Sequence, residues 1–162
     1  MRKLLILLVL ALALPVAAYS QVRASNGTLS IREGRGIVQL DARGSMTGRL
    51  NGRLTVTDLR PFDSKRPVVY GATKTIYRNA KTTVYQGKNV RFRLSGARFV
   101  IKMDGKAIFL SAIARGTGAL DGAGDASANV FYDGVWSLND EPYHSLPDDP
   151  TAFELVTPPA SG

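Results

Sequence analysis

The chain has 162 residues, enough for one domain with a sizeable core and too few for two. Its 44% hydrophobic content excludes a disordered polymer, and the absence of cysteine excludes a disulfide framework, cysteine-type zinc sites and thiol catalysis. Charge is split along the chain: Arg23 to Arg115 carries 19 Lys and Arg against 5 Asp and Glu, and the part after Arg115 carries 8 Asp and Glu with no Lys or Arg.

Residues 1–18 have the pattern of a secretory signal peptide. Arg2 and Lys3 precede the apolar run Leu4 to Leu14, Pro15 follows, and Val16-Ala17-Ala18 is a small-residue cleavage pattern. The run is shorter than a typical membrane-spanning helix, and no second run of that length follows. The expectation is a secreted or cell-envelope chain with a β-rich domain over 19–146. A flexible acidic, Pro-rich tail is expected over 147–162.

In the body of the chain, apolar and polar residues alternate with a period of two, and no window outside the signal region carries a helical apolar stripe. Leu29 and Ile31 begin a first strand. Glu33-Gly34-Arg35-Gly36 reads as a turn, and Ile37, Val38 and Leu40 open the next strand. Asn51-Gly52 reads as a hairpin turn, with a three-residue loop aligning Met46 with Val56 and Gly48 with Leu54. Residues 59–89 are loop-rich, with alternation around Thr73 to Tyr77 and Thr82 to Tyr85. Val90, Phe92 and Leu94 alternate with Arg91 and Arg93, a strand with one solvated face. The apolar phase then slips from even to odd, which places a bulge or bend at Ser95-Gly96.

Asp104-Gly105 between two apolar runs predicts a type I′ hairpin that opposes Ile101 to Ile108 and Phe99 to Leu110. Lys102 would then face Ala107. A third hairpin is expected at Asp133-Gly134, between Val130-Phe131-Tyr132 and Val135-Trp136-Ser137-Leu138. The fold class is therefore all-β: a single antiparallel β-sandwich or a small closed β-barrel built from hairpins, with about 8–10 short strands. Two echoes, 35–44 with 115–124 and a 54-residue offset of apolar positions, differ in offset and do not define one repeat.

The basic middle segment is the best candidate for chemistry. Arg60, Lys65, Arg66, Lys74, Arg78 and Lys81 are interleaved with Tyr70, Tyr77 and Tyr85. Cations spaced along strands neutralise phosphate or sulfate, and aromatic faces stack on flat or ring-shaped ligands. Arg91, Arg93, Arg98 and Lys102 either continue that surface or pair with the acidic C-terminal segment. For an exported chain the expected partner is an anionic polymer or a membrane surface, or else a protein partner; nucleic acid is not expected in vivo. The competing structural reading makes the tyrosines core residues and the cations solvated strand faces.

No catalytic, metal or cofactor motif appears. Asp121 with Asp125 and Asn129, Asp140 with Glu141, and Asp148 with Asp149 supply oxygens, but none has calcium-loop spacing. The one histidine, His144, lies in a Pro-flanked segment near the end, and phosphate-binding and nucleophile motifs are absent. The sequence thus points to a non-catalytic domain without cofactor or metal, either binding an anionic partner or serving a structural or interaction role. An envelope carbohydrate hydrolase is the remaining alternative.

Overall fold

A computed structural model describes residues 25–124 and 132–156. Every regular element in them is a β-strand, and all of these strands belong to one antiparallel sheet. Two strands are far longer than the rest: β1, Gly27–Asp58, and β4, Thr82–Gly122. Five short strands complete the sheet: β2 (Val68–Tyr70), β3 (Lys74–Tyr77), β5 (Val135–Leu138), β6 (His144–Ser145) and β7 (Thr151–Leu155).

The pairing of β1 with β4 determines the shape. Leu40 faces Ile101 on one edge and Gly118 on the other, and Ile101 in turn faces both Leu40 and Val56. Crossing two strands therefore returns to the same strand 16 or 17 residues away. That is impossible in a flat sheet, so the β1–β4 ribbon coils and hydrogen-bonds to its own next turn. Length requires the same conclusion. Straight, the 32 residues of β1 would span about 100 Å, against a radius of gyration of about 14 Å for a domain of roughly 130 residues.

The coil is flattened into two layers by two rows of small residues. In the first row Gly52 faces Gly87 and Gly105, and Gly36 faces Gly105 and Gly122. In the second, Gly44 lies between Ala97 and Ala114, and Ala114 also faces Gly27. At the first row the backbones close up so far that a Cβ on Gly52 would collide with the Asp104 carbonyl, and one on Gly105 with the Asn51 carbonyl. Both residues also have φ above +150°, which side chains disfavour. One layer contains β2, then residues 88–95, 45–51, 106–113 and 28–35, then β5 and β6. The other contains β3, then residues 82–86, 53–58, 97–104, 37–43 and 115–121, then β7. The path is open at its ends, so the architecture is sandwich-like and the closed barrel is excluded.

Inward side chains from both layers meet in one core. Leu29, Ile31, Met46, Leu50, Val90, Phe92, Leu94, Ile108 and Leu110 come from the first layer; Val38, Leu40, Leu54, Val56, Phe99, Ile101, Met103 and Leu120 come from the second. With no disulfide to restrict the unfolded chain, this burial carries the stability. Phe99, Ile101, Met103, Ile108 and Leu110 are all buried, as the alternation requires.

Three expected turns are absent. Glu33 to Gly36, Asn51-Gly52 and Asp104-Gly105 all lie inside continuous strands at the first glycine row. Met46 accordingly faces Leu94 and Ala112 rather than Val56, and Ile101 faces Leu40 and Val56 rather than Ile108. The sheet has two long and five short strands in place of many short hairpins. The bulge at Ser95-Gly96 is present: Ser45 faces Ser95, Gly44 faces Ala97, and Gly96 is the extra residue at φ +75°. Unforeseen bulges occur at Glu33, Asn89 and Ala107, all with positive φ. The Ala107 bulge supplies the phase change that the sequence suggested was a hairpin.

Two expectations concern the ends. Residues 151–155 are not a frayed tail, since β7 pairs with 116–120 and Leu155 is fully buried. Residues 1–18, expected to be a signal peptide, most of the expected strand 130–132 and the last residues, 157–162, lie outside the described residues.

Replacing Gly52 or Gly105 by Val is expected to lower the unfolding free energy by about 2–3 kcal/mol or more, through strain at positive φ and the carbonyl collision. Thr47→Val, on an exposed face, is expected to change it by no more than about 0.5 kcal/mol. Urea denaturation of the three variants measures the difference.

Candidate functional site

The loop 59–67 carries the chain from Asp58, in the second layer, to β2, in the first. It crosses the open end of the sandwich in a fixed shape. Asp58 Oδ1 accepts from Arg60 N at 2.8 Å, Asp63 Oδ1 accepts from Lys65 N at 2.8 Å, and Lys65 Nζ donates to Gly96 O at 2.9 Å. The β3–β4 turn is pinned beside it: Asn79 Oδ1 accepts from Lys81 N and Thr82 N, and Asp58 N donates to Lys81 O. Two prolines, Pro61 and Pro67, limit the loop's other conformations.

Between this loop and the inner face of the second layer lies a cavity of about 540 Å³. Val56 and Asp58 of β1 line it together with Thr83 and Tyr85 of β4, Tyr77 of β3, Arg66 and Pro67 of the loop, and Lys81. Directly opposed residues share a face, so the pairs Leu54–Tyr85, Val56–Thr83 and Thr83–Tyr77 place both tyrosines on the inward side. Burial pushes the Tyr85 phenol above the ordinary tyrosine value, with a hydrogen bond to Thr83 acting in the opposite sense.

Four of the nine predicted binding residues, Arg66, Tyr77, Lys81 and Tyr85, therefore meet at one cavity. Arg60 and Lys65 line a separate groove of about 360 Å³ with Arg43 and Arg98, beside Gly96. Tyr70 is on the outer face of the first layer, opposite Arg91. Lys74 pairs in register with Gln86 at an exposed edge, and Arg78 lies exposed in the β3–β4 turn. The nine are not one surface.

A row of arginines and aromatics lies on the outer face of the first layer. Tyr70, Arg91, Arg49 and Phe109 are directly opposed in sequence across four neighbouring strand segments. The Arg49 guanidinium lies over the Phe109 ring at 4.1 Å, and that of Arg32 over Tyr143 at 4.5 Å. In the next row Val68, Arg93, Thr47, Ser111 and Ser30 are opposed in the same way. Among the described residues, no carboxylate lies within ion-pair distance of Arg49, Arg91 or Arg93. Arg91 Nε donates instead to Asn89 Oδ1.

The second layer differs. There Arg98 makes a bidentate pair with Asp41, both contacts at 2.7 Å, and the carboxylate raises the Arg98 pKa. Arg91 and Arg98, which the sequence left as one possible surface, are thus on opposite layers. The partner of Arg98 is a strand residue rather than the acidic C-terminal segment.

Sequence reasoning passed over Asp58, Arg32 and Arg49. The available signal was the even phase of the apolar residues Leu50, Leu54 and Val56, which turns Asp58 inward and Arg49 outward. The other candidates remain dispersed. His144 is exposed in β6 opposite Trp136, and Trp136 packs on Phe153 at 6.0 Å. Among the described residues, no three His, Asp or Glu side chains are grouped to hold a metal; Asp125 and Asn129 lie outside them. Comparison with family models, with curated proteins and with solved structures finds no match to this chain.

Tyr85 is expected to ionise above the ordinary tyrosine value. Its raised folded pKa stabilises the fold below the ordinary tyrosine pKa, a contribution lost as pH rises through the folded value. Phenolate absorbance titration of the protein and of Tyr85→Phe isolates the late step.

Proposed function

We propose that this is an exported, non-catalytic binding domain that holds an anionic polymer of the cell envelope on the outer face of its first layer. The observation that carries the reading is the direct opposition of Arg49 and Arg91 with no carboxylate within ion-pair distance among the described residues. Like charges opposed across a ladder destabilise a sheet, and a nearby acid would have relieved the cost at no loss of fold. A surface that meets a polyanion uses those charges instead. Arg93 extends the row along the strands, while Phe109 and Tyr70 supply flat apolar contact beside the cations. Export is supported by the charged start, apolar run and Ala-rich cleavage pattern of residues 1–18.

A protein-interaction role is the second reading. It is favoured by Phe62, which is 89% exposed on the pinned loop, and by exposed Ile113 on the arginine face.

The two separate in a salt series. Binding of the purified protein to a soluble polyanion is expected to weaken linearly in log affinity against log salt. The triple change Arg49→Gln, Arg91→Gln and Arg93→Gln is expected to reduce that slope by roughly one unit per contacting cation removed. Absence of binding at low salt, or a slope unchanged in the triple variant, would remove the arginine face from the account.

A further inference from the structure

We infer that the cavity at the open end of the sandwich is a second binding site, and that it takes one acidic sugar residue. This rests on the preceding reading only for the identity of the polymer, which becomes an acidic polysaccharide; the cavity itself stands on different residues.

The size comes first. About 540 Å³ is within the roughly 300–1,000 Å³ of small-ligand sites and accommodates a single pyranose ring with its substituents. The chemistry narrows the class further. Arg66, on the loop, and Lys81, at the β3–β4 turn, both line the cavity, and among the described residues neither is paired with a carboxylate. They favour an anionic group. Tyr77, exposed at the rim, and half-buried Tyr85 both line the cavity and supply aromatic surface and hydroxyls, which suit a pyranose with apolar C–H faces and hydroxyl groups.

Asp58 discriminates between anions. It is 7% exposed and lines the same cavity, with Oδ1 committed to Arg60 N and no hydrogen bond to Oδ2 among the described residues. A carboxylate there repels inorganic phosphate and sulfate by charge, and sulfate has no donor to offer it. A ligand that carries both an acid and hydroxyl donors satisfies the cations and Asp58 at once. A neutral sugar leaves Arg66 and Lys81 unused, and a bare anion leaves Asp58 opposed. The uronate ring has both halves.

The pinned geometry fits binding without rearrangement. The hydrogen bonds that Asp58 accepts from Arg60 N, and that Asn79 accepts from Lys81 N and Thr82 N, hold the loop and the turn before any ligand arrives. That lowers the ordering cost of association.

Calorimetric titration of the purified protein with trigalacturonate, with neutral galactotriose and with inorganic phosphate tests the assignment. Trigalacturonate is expected to bind one to one, galactotriose about tenfold or more weakly, and phosphate more weakly still. The pair Arg66→Gln with Lys81→Gln, and separately Asp58→Asn, are each expected to lose about tenfold or more in trigalacturonate affinity. Asparagine retains the Oδ1 acceptor for Arg60 N, so the loop keeps its shape. The triple arginine change on the outer face is expected to leave trisaccharide affinity unchanged. Phosphate binding as tight as the trisaccharide, or trisaccharide binding indifferent to both cavity variants, or none at all, would overturn the site. Intact trisaccharide binding with no polymer binding would overturn the outer-face reading and leave this one standing.

Discussion

The structure depends on the close approach of backbones at the first glycine row, where Gly52 lies between Gly87 and Gly105, and Gly36 between Gly105 and Gly122. Both long strands have two edges of N–H and C=O groups to satisfy, and along much of their length each finds both partners in the other. That arrangement exists only if the ribbon coils, and a tight coil needs bends where a side chain would strike a neighbouring carbonyl. Everything else follows from those bends. They bring the inward faces of the two layers together, and Phe99, Ile101 and Met103 from one layer share a core with Val90, Phe92 and Leu94 from the other. A cysteine-free chain is held by that single core.

The coil also determines where chemistry is placed. Because side chains alternate, outward arginines at 49, 91 and 93 collect on one layer, while the Asp41–Arg98 pair belongs to the other. A coiled ribbon has open ends, and the segment that links β1 to β2 must cross one of them. The basic middle of the chain is that segment. Its cations are therefore distributed between a mouth cavity, a corner groove and an edge rather than along one strand face. Among the described residues, the acidic C-terminal segment supplies an edge strand, β7.

Strand content, the solvated and buried faces of 90–94, and the bulge at Ser95-Gly96 were legible because alternation is a local property. The connections were not. Asp-Gly and Asn-Gly with a glycine at positive φ suit both a type I′ turn and a bend within a strand, and local chemistry does not separate them. One signal in the chain does. Glycines recur at 36, 44 and 52, and at 87, 96 and 105, a spacing of eight or nine that matches one traverse of a layer. Of the site, the aromatic and cationic character of 66–85 could be read directly. Asp58 could not, because its place in the cavity depends on the loop that folds back over the mouth.

The central claim is that β1 and β4 run unbroken through Asn51-Gly52 and Asp104-Gly105. The chain lacks cysteine, so paired cysteines report strand neighbours without interference. Thr55 faces Lys102 in the coiled ribbon, whereas a hairpin at Asp104-Gly105 would put Lys102 opposite Ala107. Under mild oxidation, Thr55→Cys with Lys102→Cys is predicted to close an intramolecular disulfide, while Lys102→Cys with Ala107→Cys stays reduced. Cross-linking of the second pair and not the first would show that the chain turns back at Gly105 and that the coil does not exist.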